Sequence, residues 1–155
     1  MKKKSTYDSL IQSLILAFGN RLKTVVLFGS RARQQSKKTS DHDFFLVIDN
    51  LSAKPIERQK QIRTAILNVP LRINTIAKTP EEVDRNLTPL LLDVCVDGIC
   101  LYGRDYFDPY RKKALDAVKQ AGLKRKWIGQ EWYWHFSKIP NTEWELTWGG
   151  FHELS

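Results

Sequence analysis

Two cysteines, one methionine and no apolar run longer than five residues set the first limits on this 155-residue chain. A membrane-spanning helix needs about twenty mostly apolar residues in succession, so none is expected. Cys95 and Cys100 have neither the number nor the spacing of a zinc cluster or a disulfide framework. Set among Val, Ile and Leu, they read as buried, reduced thiols of a cytosolic protein. No secretory leader is expected either. Lys2, Lys3 and Lys4 imitate its charged start, but Asp8, Gln12 and Ser13 break up the apolar stretch a leader needs next, and no small-residue cleavage site appears. Of the three histidines, His135 and His152 have no ligating neighbours at useful spacing.

What is present suits a folded domain. The composition, 42% hydrophobic and 11% aromatic, supports a real core, and the length fits one compact domain with a small appendage. Acids are scarce at the start: residues 1–40 hold nine Lys/Arg against one acid. Residues 41–110 hold eight against eleven, and residues 111–155 eight against five. The net charge of +8 aids solubility. A second reading is that the basic groups near Ser30 attract a polyphosphate or a nucleic acid; charge alone does not decide between the two.

Helices and strands alternate from about residue 5 to residue 103. Tyr7, Leu10, Ile11, Leu14, Ile15 and Phe18 form one helical stripe, with Ser5 as N-cap and Gly19-Asn20 as stop. Lys23–Phe28 reads as a strand, and Phe44–Ile48 as a central strand covered on both faces. Pro55 to about Asn68 is expected to be a helix, and Leu71–Ala77 a third strand. Thr79-Pro80-Glu81-Glu82 is a helix-start signature. A short helix over Leu90–Val96 and an extended Gly98–Tyr102 come next, then a helix over Tyr110–Gly122. This order argues α/β layering, a sheet covered by helices. All five tryptophans, at 127, 132, 134, 144 and 148, come after it.

The stretch GSRARQQSKKTSDHDFFLVI, Gly29–Ile48, carries the chemistry. A glycine at a strand end lets backbone approach a ligand closely. If a helix begins there, its amides and positive end face an anion. Ser30 adds a hydroxyl, and Arg31 and Arg33 add charge and forked donors. Asp41 and Asp43 stand two apart where a strand begins, so both carboxylates project from one face and His42 from the other. Such a pair suits Mg²⁺, which takes carboxylates, waters and substrate phosphates as ligands. By itself a Gly-Ser pair is commonly a turn, and an Asp-X-Asp a solvated turn. The ten residues between Ser30 and Asp41, with strand-like runs on both sides, give them joint meaning.

LFGSRARQQSKKTSDHDFFLVI resembles the signature of the DNA polymerase beta-type nucleotidyltransferase superfamily, above all its small, single-domain members, the minimal nucleotidyltransferases. The resemblance runs over about residues 20–105 and includes INTIAKTPEEV and DGICLYG. It implies a nucleotidyltransferase-like α/β fold, a mixed sheet with helices packed on one side of it. It also implies transfer of a nucleoside monophosphate from an NTP to a hydroxyl, with two magnesium ions. Carried over by position, Gly29 and Ser30 hold the triphosphate, with Arg31, Arg33 and Ser40 beside them, and Asp41 and Asp43 hold metal. Ser40 serves equally well as a turn residue.

Two departures stand out. Gln34 occupies a position where many relatives have glycine, and Asn74 occupies the strand position where the family usually places a third carboxylate. An amide oxygen can ligate a metal but cannot accept a proton as a carboxylate does. Asp49, Glu81 and Glu82 are candidate substitutes, each with an ordinary role at an element end.

On this reading residues 1–105 form the nucleotidyltransferase domain and residues 106–155 a helical, Trp-rich extension packed on it. Small members of the family resemble the antitoxin half of toxin–antitoxin pairs, which implies AMP transfer from ATP to a HEPN-type toxin. Two other readings stay open. One is a module without catalysis that neutralises a partner toxin by binding, with Asn74 as the sign. The other is a nucleic-acid binder that uses Lys124, Arg125, Lys126 and the aromatic tail. Against the last, aromatics of such burial energy more often fold back onto a core.

Overall fold

A computed structural model describes residues 6–154; Lys2–Lys4 and the expected cap Ser5 lie outside them. The centre is a four-stranded mixed sheet in the order β3-β2-β1-β4. Its strands are β1 (Leu22–Phe28), β2 (His42–Ile48), β3 (Ile73–Lys78) and β4 (Ile99–Tyr102). β1 runs antiparallel to β2 and β4, while β2 and β3 are parallel.

Alternation along β1 and β2 builds two cores. Val25, Leu27, Phe44, Leu46 and Ile48 face α1 (Asp8–Phe18) and α2 (Pro55–Ala65), meeting Leu10, Leu14, Phe18 and Ile62. Val26, Phe45 and Val47 face α3 (Pro80–Arg85), α4 (Pro89–Asp97) and α5 (Arg104–Ala121). Phe44–Ile48 is therefore covered on both sides, as a continuous apolar run requires. Helices lie on both faces of the sheet, not on one side as the resemblance implied.

Local signals explain most boundaries. Thr79 and Glu82 form a reciprocal capping box: Glu82 N–H donates to Thr79 Oγ1 at 3.3 Å, and Thr79 N–H to Glu82 Oε1 at 2.9 Å. α2 ends at Ala65, before the expected Asn68, and the chain turns where Val69 N–H donates to Ile66 O at 3.0 Å. α5 begins six residues earlier than expected because it runs through Pro109. Pro109 is the sixth residue of α5, so the helix forgoes one amide-to-carbonyl bond there, the one to Asp105 O.

The tail departs further from expectation. Beyond α5 the chain forms two β-hairpins, β5–β6 (Leu123–Ile128, Glu131–Phe136) and β7–β8 (Trp144–Thr147, Gly150–Glu153), in place of the expected helical extension. Trp134, Leu146 and Trp148 pack against the core shared with α3–α5. Trp148 Nε1 donates to Val83 O at 2.8 Å. Aromatic burial thus fixes part of the tail on the sheet, although Trp127, Tyr133 and Trp144 remain exposed. Among the described residues no helix is long and apolar enough to cross a membrane.

Candidate active site

Strand register assembles the site. Phe28 lies opposite Asp43 on β2, and Asp43 opposite Asn74 on β3. The end of β1 thereby meets the starts of β2 and β3 at one mouth of the sheet. Gly29, with φ +75°, sits so close that an added Cβ would collide with Asp43 Oδ2. Only glycine satisfies both the left-handed backbone and that approach.

Asn74 Nδ2 donates to Asp41 Oδ2 at 2.9 Å, and a longer contact of 3.4 Å reaches Asp43 Oδ1. Asp41 and Asp43 therefore project from one face, as their spacing predicts. Arg72 Nε stands 3.1 Å from Asp41 Oδ1, so the other oxygen of Asp41 also meets a donor. His42 points to the opposite face, buried, with Nδ1 2.9 Å from Tyr7 Oη. Burial and the Arg31 charge push the His42 pKa below 6.5, against a smaller opposing pull from Asp41 and Asp43. His42 is thus held neutral near pH 7.

The segment between Ser30 and Asp41 is a turn-rich loop, and no helix starts at Gly29. Arg33 N–H donates to Gly29 O at 3.2 Å and Gln35 N–H to Ser30 O at 2.9 Å, one coil that does not continue. No helix end therefore adds its charge here. Gln34 itself takes φ +58°, the backbone region that a glycine would adopt without strain. Arg31 folds across the loop: its Nη2 donates to Ser40 O at 2.7 Å and its Nε to the same oxygen at 3.2 Å. Ser40 Oγ accepts from Lys37 N–H at 2.9 Å, which is the turn role. Arg33 reaches out to Asp97 at the end of α4, 3.8 Å away.

Other candidates lie elsewhere. Glu82 is committed to its capping box and to Arg58, 2.7 Å away. Burial alone would raise its pKa, but the Thr79 amide and Arg58 outweigh that and hold it below its usual value. Asp49 bonds through its backbone to Arg21, and Glu81 is exposed in the first turn of α3. Arg125 of the basic tail is also taken, paired with Asp97 at 2.6 Å. Sequence reasoning missed Arg72 and Asp97. Arg72 stands two residues before Asn74, a signal open to inspection, whereas the Asp97 contacts depend on tertiary docking.

Two carboxylates and one amide on an open face fit a hard divalent cation that keeps waters and shares a nucleotide's phosphates. Among the described residues no group of three His, Cys, Asp or Glu could hold a metal by protein ligands alone.

Residues 12–106 match the family model described as Polymerase beta, Nucleotidyltransferase. A Methanocaldococcus jannaschii protein that carries the name of a protein adenylyltransferase is 27% identical over 138 residues, covering 85% of this chain and 92% of that one. The fold is shared with a chain from a toxin–antitoxin crystallised with AMP-PNP. There the TM-score is 0.53 at 17% identity, with 72% of this chain and 86% of that one covered. It is shared also with a chain from a mutant MntA–HpeT toxin–antitoxin, TM-score 0.55 at 17% identity over 75% and 88%. The matched span holds both the Gly29-Ser30 turn and the Asp41/Asp43 pair, and more than half the chain: the protein belongs to the polymerase beta-type nucleotidyltransferase family.

Proposed function

We propose that this protein transfers a nucleoside monophosphate, AMP from ATP, to a hydroxyl of a partner protein, and that the partner is a HEPN-type toxin for which it is the antitoxin. The observation that carries the reading is the approach of Gly29 to Asp43, which sets a backbone turn against paired carboxylates at one mouth. The name of the M. jannaschii relative supports a protein acceptor. The toxin–antitoxin fold neighbours, one crystallised with AMP-PNP, support the partner and the nucleotide.

In this reading Gly29 and Ser30 receive the triphosphate and Arg33 supplies charge to it. Arg31 and Ser40 brace the loop from behind. Asp41 and Asp43 hold magnesium, two ions in the family's manner, with Asn74 as a neutral ligand once its amide turns to present Oδ1. Magnesium when bound neutralises phosphate charge and polarises the group under transfer. The acceptor oxygen bonds to the α-phosphorus as the bond to the pyrophosphate oxygen breaks, and pyrophosphate leaves. Asn74 has no basic site, so the hydroxyl proton passes to solvent at the exposed mouth. The setting is the cytoplasm, where ATP is abundant and Cys95 and Cys100 stay reduced.

A second reading has its own observation. Asn74 and Arg72 cover both oxygens of Asp41 with donors, which suits a toxin-binding module that has given up catalysis. Incubation with α-labelled ATP, Mg²⁺ and the protein encoded next to it separates the two. Label on the partner, lost in Asp41→Ala, is the expected result; a stable complex that never takes label contradicts the transferase.

A further inference from the structure

Asp97 is the last residue of α4. Gly98 comes next, and β4 then pairs with β1, Ile99 opposite Leu27, so the end of α4 lies beside the end of β1 where the Gly29 loop departs. The Asp97 carboxylate is only 10% exposed. It takes the Arg125 guanidinium as a fork, Nη1 to Oδ1 at 2.6 Å and Nη2 to Oδ2 at 3.0 Å. Arg125 belongs to β5, and its guanidinium lies over the rings of Trp132 at 4.1 Å and Trp134 at 5.2 Å. Oδ2 of the same carboxylate is 3.8 Å from Nη1 of Arg33.

Asp93, one turn earlier on α4, also feels both arginine charges, but Asp97 is the carboxylate in contact, and it serves the two cations unequally. The pair with Arg125 is short, bidentate and shielded. The pair with Arg33 is too long for a hydrogen bond, so it orients the guanidinium without using its donors. Both partners are largely shielded from water, which keeps salt from screening the attraction away. The Gly29 loop itself adds little restraint, a Gln35 Oε1 contact with Arg33 Nε at 3.2 Å.

We infer that Asp97 is a positioning residue for the nucleotide site, anchored by Arg125 of the Trp-rich hairpin and acting through Arg33 of the Gly29 loop. The inference rests on the proposed triphosphate role of that loop. It makes the hairpin a working part of the site and couples nucleotide binding to the tryptophans.

The test is calorimetric titration of ATP with Mg²⁺ into the full-length protein, Asp97→Asn, Arg33→Gln and the double variant. Asp97→Asn is expected to weaken binding roughly three- to thirtyfold, and to cost less than about twofold once Arg33→Gln is present. Unchanged affinity in Asp97→Asn, or losses that multiply in the double variant, overturns the positioning role while the nucleotide site stands. Absence of ATP binding by the unsubstituted protein overturns both. Tryptophan emission gives a readout that needs no Asp97 variant, because every tryptophan lies in residues 127–148. ATP is expected to change that emission with the calorimetric midpoint, and Arg33→Gln to abolish the change. A flat emission at saturating ATP contradicts the coupling.

Discussion

Asn74 and Asp41 are joined across two parallel strands by a 2.9 Å hydrogen bond, the amide donating into the carboxylate. A neutral donor thus stands where a carboxylate would add a third negative charge. It relieves the repulsion between Asp41 and Asp43 and lowers the demand for a cation. Asn74→Asp reverses this. In chelator the variant is expected to melt about 2–4 °C lower for each kcal/mol of repulsion introduced. Mg²⁺ is expected to raise its melting temperature more than that of the unsubstituted protein. Equal responses to Mg²⁺ would show that residue 74 does not face the metal.

Gly29→Ala carries two penalties, a left-handed backbone and a collision with Asp43. Strain of this kind costs on the order of 1–3 kcal/mol, and displacement of Asp43 is expected to remove Mg²⁺-dependent ATP binding as well. Gly129→Ala is the control: φ is +62° there too, but nothing lies within 4 Å of the added Cβ. It carries the backbone strain alone, about 1–2 kcal/mol, and should keep its ATP affinity, as melts and titrations together will report.

His42 makes stability depend on pH. Its folded pKa lies below 6.5, so neutral histidine is favoured in the fold. The resulting stabilisation is complete above the unfolded value and is lost as pH falls below it towards the folded pKa. Melting temperature should therefore decline on acidification from about pH 7 to 5, and His42→Asn should flatten that part of the profile. A rise in stability on acidification, abolished by His42→Asn, would contradict the assignment.

The second hairpin is held to α3 by Trp148. Trp148→Phe keeps most of the packing and removes the bond to Val83 O, at a cost of about 0.5–1.5 kcal/mol. Trp148→Ala should cost about 3 kcal/mol, the low end for a large aromatic, since the ring is only partly buried. Denaturant melts of the two variants measure the difference.

Legibility tracked the range of the interaction. The stripe of α1, the apolar run of β2 and the capping box at Thr79 are local signals, and each element is found there, although α1 begins only at Asp8 with Tyr7 at its N-cap and β2 starts two residues earlier, at His42. The Gly-Ser and Asp-X-Asp spacing foretold two loop ends meeting at one mouth, because both flank strands. The start of α5 was hidden by Pro109, a helix breaker by its chemistry that α5 nevertheless accommodates in its second turn. The hairpins were missed although LKRKWI and EWYWHF are rich in β-favouring residues and Gly129 marks the turn between them. Dense aromatic content suggests base stacking as readily as strand pairing, and composition alone does not separate the two. Arg125, offered to a nucleic acid only in the last of the three readings, pairs with Asp97, 28 residues away in sequence. No local pattern encodes such a pair.

Gly29-Ser30 and Asp41/Asp43 are proposed to form one site for a metal–nucleotide complex. Its most direct test is titration of ATP into the protein with Mg²⁺ and again with chelator, beside Asp41→Asn and Asp43→Asn. Binding is expected to require Mg²⁺ and to be lost in both variants while their melts stay cooperative. Binding of equal strength without Mg²⁺, or undiminished in either variant, would contradict it.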